Sequence, residues 1–273
     1  MTFQRVTIGF IGAGNMGSAM IRCMIKRNAA KPEFIWIYDQ QQDKCQQLQE
    51  ELGVNIAQSS KHLAVNCSII VLAVKPSFVA GVLSEIKNAL TPSHLVLSIA
   101  AGITIRQLKD MIQEKCYVIR TMPNTPALIG EGMTAICKDS SIPEEYLTKA
   151  CSILKSFGSI EFVTESQIHG ATAISGSSPA YAFLFLEALA DGGVMMGLSR
   201  EQSYKMAAQS LLGAAKMVLQ TGKHPGELKD MVCSPGGTTI NAVASLEQGK
   251  FRSTIIEAVR ACAKKSMDME KGR

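Results

Sequence analysis

The chain is poor in the features that mark secreted, membrane-embedded or nucleic-acid-binding proteins. Charged residues make up only 19% of its 273 positions, below the usual share of about 25%, so part of the surface is expected to be lost to a partner subunit. The net charge is a mild +5. No basic run or interleaved aromatics accompany it, so nucleic acid is not implied. The cations near the end, Lys264, Lys265, Lys271 and Arg273, read as a solvated helix end. No C-x-x-C occurs. The eight cysteines (Cys23, Cys45, Cys67, Cys116, Cys137, Cys151, Cys233 and Cys262) are scattered. That argues against a disulfide framework or a metal site and predicts a reducing, cytoplasmic setting. A strand starts within a few residues of Met1, leaving no room for a signal peptide. The longest apolar helical stretch, Pro179 to Met196, contains Glu187, Asp191 and two glycines, so no membrane span is expected.

What the chain does have is concentrated at its start. Gly12, Gly14 and Gly17 form a G-x-G-x-x-G. The apolar run Val6–Ile11 precedes them, and Met16, Met20, Cys23 and Met24 follow at helical spacing. Strand, turn and helix in this order make the pattern a dinucleotide-binding fingerprint. Gly12 permits the tight turn, Gly14 lets the main chain approach a pyrophosphate, and Gly17 lets helix pack on strand. The N–H groups of the helix start then face the phosphates.

Short runs rich in Ile, Val and aromatics predict further strands at Phe34–Tyr38, Ser68–Val74, Leu95–Ile99 and Tyr117–Arg120, and near Thr134–Cys137 and Ile160–Val163. Helical spacing lies between them at Met16–Arg27, Lys44–Leu52, Pro76–Leu90 and Ile105–Ile112. This is an α/β pattern, a doubly wound and mostly parallel sheet of the Rossmann kind. From about Thr164 onward the pattern is all helical: Pro179–Met196, Arg200–Leu219, Thr239–Glu247 and Phe251–Lys271. The expected division is 1–164 for dinucleotide binding and 165–273 for a helical domain. Tyr181, Phe183, Leu184, Phe185, Leu186 and Leu189 make one helix apolar nearly all round. Such a helix is buried, and a second subunit is the natural cover.

Candidate site residues fall at strand ends, where ligands bind in parallel sheets. Asp39 closes the second strand, 22 residues after Gly17 (39 − 17). An acidic residue there accepts hydrogen bonds from the adenosine ribose and repels a 2′-phosphate, favouring NAD over NADP. Ala73, Val74 and Lys75 close the third strand, and Ala100, Ala101 and Gly102 follow the fourth with residues too small to block a nicotinamide. Asn124 is the main polar group of Met122-Pro-Asn-Thr-Pro126 after the fifth. In the helical half, Ser234-Pro-Gly-Gly-Thr-Thr239 reads equally as a plain connection in which Thr238 or Thr239 caps the next helix, or as a bend suited to a carboxylate.

These residues, together with Ala-Val-Lys-Pro, Ser-Ile-Ala-Ala-Gly, Ser175-Gly-Ser-Ser-Pro-Ala-Tyr181 and His224-Pro-Gly-Glu-Leu-Lys-Asp230, make the chain resemble the pyrroline-5-carboxylate reductase family over nearly its whole length. The resemblance implies reduction of 1-pyrroline-5-carboxylate to L-proline by NADPH or NADH, and a site built from a Rossmann domain and a helical dimerisation domain. Carried over, Gly12, Ala13, Gly14, Asn15, Met16, Ser60, Ala73–Lys75 and Ala100–Gly102 hold the cofactor. Ser234, Gly236, Gly237, Thr238 and Thr239 hold the substrate carboxylate, donated by the partner subunit. Thr239 matches the position that serves the ring nitrogen. Family members often assemble dimers into larger rings, and these residues leave the number open. Tyr38-Asp39-Gln40-Gln41-Gln42 departs from the family's usual loop, so dual cofactor use is expected rather than strict NADPH dependence. A β-hydroxyacid dehydrogenase shares the two-domain plan but needs a lysine acid–base group, and the chain has no Lys between Lys155 and Lys205. A non-catalytic dinucleotide sensor on the same fold would be expected to have a degraded substrate loop, and this one is intact.

Overall fold

Alternating apolar side chains set the architecture of the first unit. In β1 (Ile8–Ile11), Ile8 and Phe10 enter one core, and Ile11 enters another on the opposite face. The same two-residue alternation sends Ile69 and Val71 one way and Ile70 and Leu72 the other, as expected for a strand covered on both faces. The computed structural model describes residues 6–139 and 141–271, so Arg273 lies outside the described residues. The remaining strands are β2 (Ile35–Tyr38), β3 (Asn55–Ile56), β4 (Ile69–Leu72), β5 (Leu95–Ser98), β6 (Tyr117–Met122), β7 (Gly132–Lys138) and β8 (Gly158–Phe162). They form one sheet in the order β3-β2-β1-β4-β5-β6-β7-β8. Every neighbouring pair is parallel except β6 with β7.

Helices cover both faces. On one lie α1 (Asn15–Lys26), α2 (Gln42–Leu52) and α6 (Glu144–Lys155), contributing Met20, Met24, Leu48, Leu147 and Leu154 to the core. On the other lie α3 (Ser60–Asn66), α4 (Pro76–Ile86) and α5 (Ile105–Met111), contributing Leu63, Val79, Leu83 and Leu108. This is the expected doubly wound fold. Of the elements around this sheet, β3, α3 and α6 were not expected from the sequence. β3 is two residues long and α3 seven, too short for a periodic signal.

The chain then passes through α7 (Ile168–Ala171) and a π-helical turn, Thr172–Gly176. The second unit holds α8 (Ser178–Met195), α9 (Arg200–Thr221), α10 (Pro225–Val232), α11 (Thr238–Gln248) and the start of α12 (Phe251–Glu270). The two compact units are Met1–Ser177 with Cys262–Arg273, and Ser178–Ala261. The first compact unit thus runs past residue 164 to Ser177, and the end of α12 rejoins it. Packing explains both features. Ile168 is buried with Ile105, Ala135 and Cys137, and Glu270 pairs with the buried Arg120 of β6.

Within the second unit, α8 buries only Ala190, whereas Phe183 and Leu184 are 63% and 68% exposed in the single chain. An apolar helix left open in this way calls for cover from another copy. Among the described residues, no helix is long and apolar enough to cross a membrane.

Candidate active site

The carboxyl edge of the parallel strands gathers the glycine turn, Asp39, Ser60, Ala73–Lys75, Ala100–Gly102 and Asn124. The order reverses between β1 and β4, which makes their junction the ligand crevice of such a sheet. Gly12 has φ +108°, and a Cβ there would lie 2.5 Å from the carbonyl oxygen of Ala73. Gly17 is equally constrained, since its Cβ would lie 2.3 Å from the oxygen of Gly12. Gly14 differs: its backbone is ordinary, with φ −73°, and a Cβ there would meet nothing within 4 Å. The chain's own packing therefore gives no reason for glycine at this position, whereas a closely approaching pyrophosphate does. Gly14 is also the N-cap of α1 and offers no side chain, so the N–H groups of Asn15 and Met16 open the helix uncapped.

Two side chains frame this turn. Asp39 accepts from the Ala13 N–H through Oδ2 at 2.8 Å and from the Gln41 N–H through Oδ1 at 2.9 Å. The Ala13 N–H is thus used within the protein, while each Asp39 oxygen keeps acceptor capacity for a hydroxyl. Ser60 opens α3 at 1% exposure, and its hydroxyl has no hydrogen-bond partner. A buried orphan hydroxyl is costly unless something else satisfies it. Space at Gly14, the bare helix start and the orphan Ser60 fit a dinucleotide.

The far side of the crevice is more closely hydrogen-bonded than its sequence suggests. Ala100 is buried, and its N–H donates to the Ser98 hydroxyl at 3.3 Å. Lys75 is exposed at the start of α4. Asn124 is not the open polar group expected. It is 8% exposed, its Nδ2 donates to the Ser175 carbonyl at 2.9 Å, and its Oδ1 accepts from the Met133 N–H at 2.9 Å. The amide ties the loop after β6 to β7 and to the π-helical turn. Arg120, four residues earlier on β6, is expected from the sequence only as the end of a strand. It is 3% exposed and paired with Glu165 and Glu270. The visible signal was a cation directly after the apolar run Val118-Ile119 of a buried strand. Burial pushes the neighbouring Cys137 thiol up to about 11, with the Arg120 charge opposing.

In the helical unit, α10 starts on His224, whose Nδ1 accepts from the Gly226 N–H at 3.0 Å. After α10 the chain bends through Ser234–Gly237. Gly236 takes φ +67°, and a Cβ on Gly237 would lie 2.3 Å from the Ser234 hydroxyl oxygen. The Gly237 N–H is held by the Ser234 carbonyl at 3.0 Å. The expected threonine cap is absent. Gly237 is the N-cap of α11, no side chain caps it, and Thr238 and Thr239 are the first two helical residues. Between a capped connection and an anion-receiving bend, the uncapped start favours the second, because its N–H groups stay available beside two hydroxyls.

The comparisons with known proteins agree with both halves. Residues 165–269 match the family model for pyrroline-5-carboxylate reductase dimerisation. Residues 7–102 match the model described as NADP oxidoreductase, coenzyme F420-dependent. Pyrroline-5-carboxylate reductase of Escherichia coli (strain K12) is 47% identical over 264 residues, covering 97% of this chain and 98% of that protein. The chain belongs to the pyrroline-5-carboxylate reductase family. The reductase of Arabidopsis thaliana is 39% identical over 96% of this chain and 95% of its own. Among solved structures, the Plasmodium falciparum pyrroline carboxylate reductase with NADP bound aligns with a TM-score of 0.88 at 36% identity, covering 98% and 99% of the two chains. The Coxiella burnetii reductase aligns at 0.91 and 33% identity, covering 97% and 98%. Membership of this reductase family makes a nicotinamide nucleotide the cofactor.

Proposed function

We propose that the chain reduces 1-pyrroline-5-carboxylate to L-proline, the last step of proline synthesis. The observation that carries this reading is the uncapped start of α11, with Thr238 and Thr239 beside the Ser234–Gly237 bend. The reduced nicotinamide, when bound, supplies a hydride to the carbon of the C=N bond. The chain's own residues supply position and charge. Gly12–Met16, Ser60, Ala73–Lys75 and Ala100–Gly102 hold the nucleotide. Ser234, Gly236, Gly237 and Thr238 receive the substrate carboxylate, with the helix start favouring its negative charge. The Thr239 hydroxyl donates a hydrogen bond to the ring nitrogen. Being too weak an acid to keep a proton ready, it orients the imine while the proton comes from solvent; toward a substrate that arrives already protonated, the hydroxyl instead accepts from the iminium N–H. The bend of one subunit serves the crevice of its partner, so the dimer is the active unit. Eight unpaired thiols suit a reducing cytoplasm.

Cofactor use is dual. Asp39 stands where a ribose 2′-hydroxyl is recognised, while the exposed Gln40, Gln41, Gln42 and Lys44 can receive a 2′-phosphate. The test is oxidation of NADPH and of NADH, followed by nicotinamide absorbance with pyrroline-5-carboxylate present. Turnover with both is expected, with kcat/KM values within about a hundredfold, or 2.7 kcal/mol. No turnover with either cofactor overturns the activity, and a larger gap overturns dual use.

A further inference from the structure

We infer that Arg120 is a positioning residue for the nicotinamide half of the cofactor, acting through the loop Ile99–Thr104. This rests on the reading above that Ala100–Gly102 line the cofactor crevice. Arg120 sits on β6 directly beside Ser98 of β5, the last residue before that loop. Its guanidinium is buried and forks between two carboxylates: Nη1 donates to Glu165 Oε1 at 3.0 Å and Nη2 to Glu270 Oε2 at 2.8 Å. Each carboxylate comes from an element that touches the loop. Glu165 Oε1 also accepts from the Ile105 N–H at 2.7 Å, which fixes the loop's exit into α5. Glu270 ends α12, and a Cβ on Gly102 would lie 3.7 Å from Met269 and 3.8 Å from the Glu270 nitrogen. The end of α12 is therefore packed against the middle of the loop. On its other side, His169 bonds Ser266 at 2.9 Å and lies 3.7 Å from Glu270, holding that last turn in place.

The loop's entrance is tied as well. The Ser98 hydroxyl accepts from the Ala100 N–H, and the Ser98 carbonyl accepts from the Thr121 hydroxyl at 3.0 Å. One buried cation thus determines where two acidic anchors sit, and those anchors hold the exit and the middle of a loop made of small residues. Ala100, Ala101 and Gly102 have no long side chains with which to position themselves. An ion cluster of this kind is weak evidence for stability, since its desolvation cost offsets its attraction. Its geometric effect is larger, because small misplacements of a reacting group far from the mutated side chain cost large factors in rate.

The test uses the full-length protein and three variants. Arg120→Met leaves two carboxylates unpaired and is expected to be destabilised. The triple variant Arg120→Met/Glu165→Leu/Glu270→Leu removes all the charges together and keeps the cluster apolar. Arg120→Lys keeps the charge but loses the fork. In the triple variant, amide hydrogen exchange at residues 100–104 of cofactor-free protein is expected to speed up. NADPH binding, read by nucleotide fluorescence, is expected to weaken, and kcat to fall by roughly ten- to a hundredfold. The isotope effect on kcat with 4-deuterated cofactor should rise as hydride transfer becomes limiting, and Arg120→Lys should restore these properties only in part. A folded triple variant with unchanged loop exchange, NADPH affinity and isotope effect overturns the inference, whatever its melting temperature. If the wild-type protein itself fails to reduce pyrroline-5-carboxylate, the activity reading falls, while loop exchange and NADPH affinity still decide the role of Arg120.

Discussion

At the scale of single residues, two glycines two positions apart have opposite reasons for being glycine. Gly12 is required by the chain, through its backbone angle and the Ala73 carbonyl. Gly14 is required by nothing in the chain. Gly12→Ala is therefore expected to lower the melting temperature, because a Cβ there is both strained and in contact with backbone. Gly14→Ala is expected to cost only the N-cap preference of glycine over alanine, about 1 kcal/mol or 2–4 °C and less than Gly12→Ala, yet to weaken NADPH binding at least about tenfold. Equal melting losses in both variants would refute this assignment. The thiols provide a second check. Burial pushes Cys67 and Cys116 up to about 12. At pH 8 they stay protonated, so alkylation of the native protein followed by mass spectrometry should leave them unmodified until it unfolds. The glycine motif and Asp39 were legible because their chemistry follows from local order along the chain. Ser60 was reached only by resemblance, and its lack of a partner appears only in three dimensions.

At the scale of elements, the start of α11 carries the clearest consequence. Thr239 is the second residue of an uncapped helix, so Thr239→Ala removes a hydroxyl without removing a cap. Turnover is expected to fall by about ten- to a hundredfold, as for loss of one oriented donor, with NADPH affinity unchanged and little loss of stability. Weakened NADPH binding with normal turnover would count against its role at the imine. The sequence placed threonine in the capping position because Ser, Thr and Gly all favour that site. The structure gives it to Gly237, since Gly236 turns the chain one residue earlier than the threonines require. Long strands were legible from their apolar runs. α6 was readable in principle, since Leu147, Ala150, Ile153 and Leu154 recur on one face. α10, eight residues long and opened by a histidine cap, gave little periodic signal. Asn124 was recognised as polar but not as a strap, because its partners Met133 and Ser175 lie 9 and 51 residues away.

At the scale of the whole molecule, the exposed apolar side of α8 bears on assembly. Replacing Phe183 and Leu184 with Glu is expected to give a monomer in sedimentation experiments. Activity should fall with it, because the monomer lacks the partner's bend. A fully active monomer would separate dimerisation from catalysis. The two-part plan was visible from the change in pattern near Thr164. The return of the end of α12 to the first compact unit was not visible, because Arg120 and Glu270 are 150 residues apart in sequence.

The return of α12 to the first unit also constrains the order of folding. A nascent chain can form β1 to β8 while the helical half is still being translated, yet one of the two carboxylates that Arg120 meets lies 150 residues further along. The nucleotide-binding half is thus contiguous in space but not in time. Until translation reaches Glu270, it carries a cation with only one of its two partners.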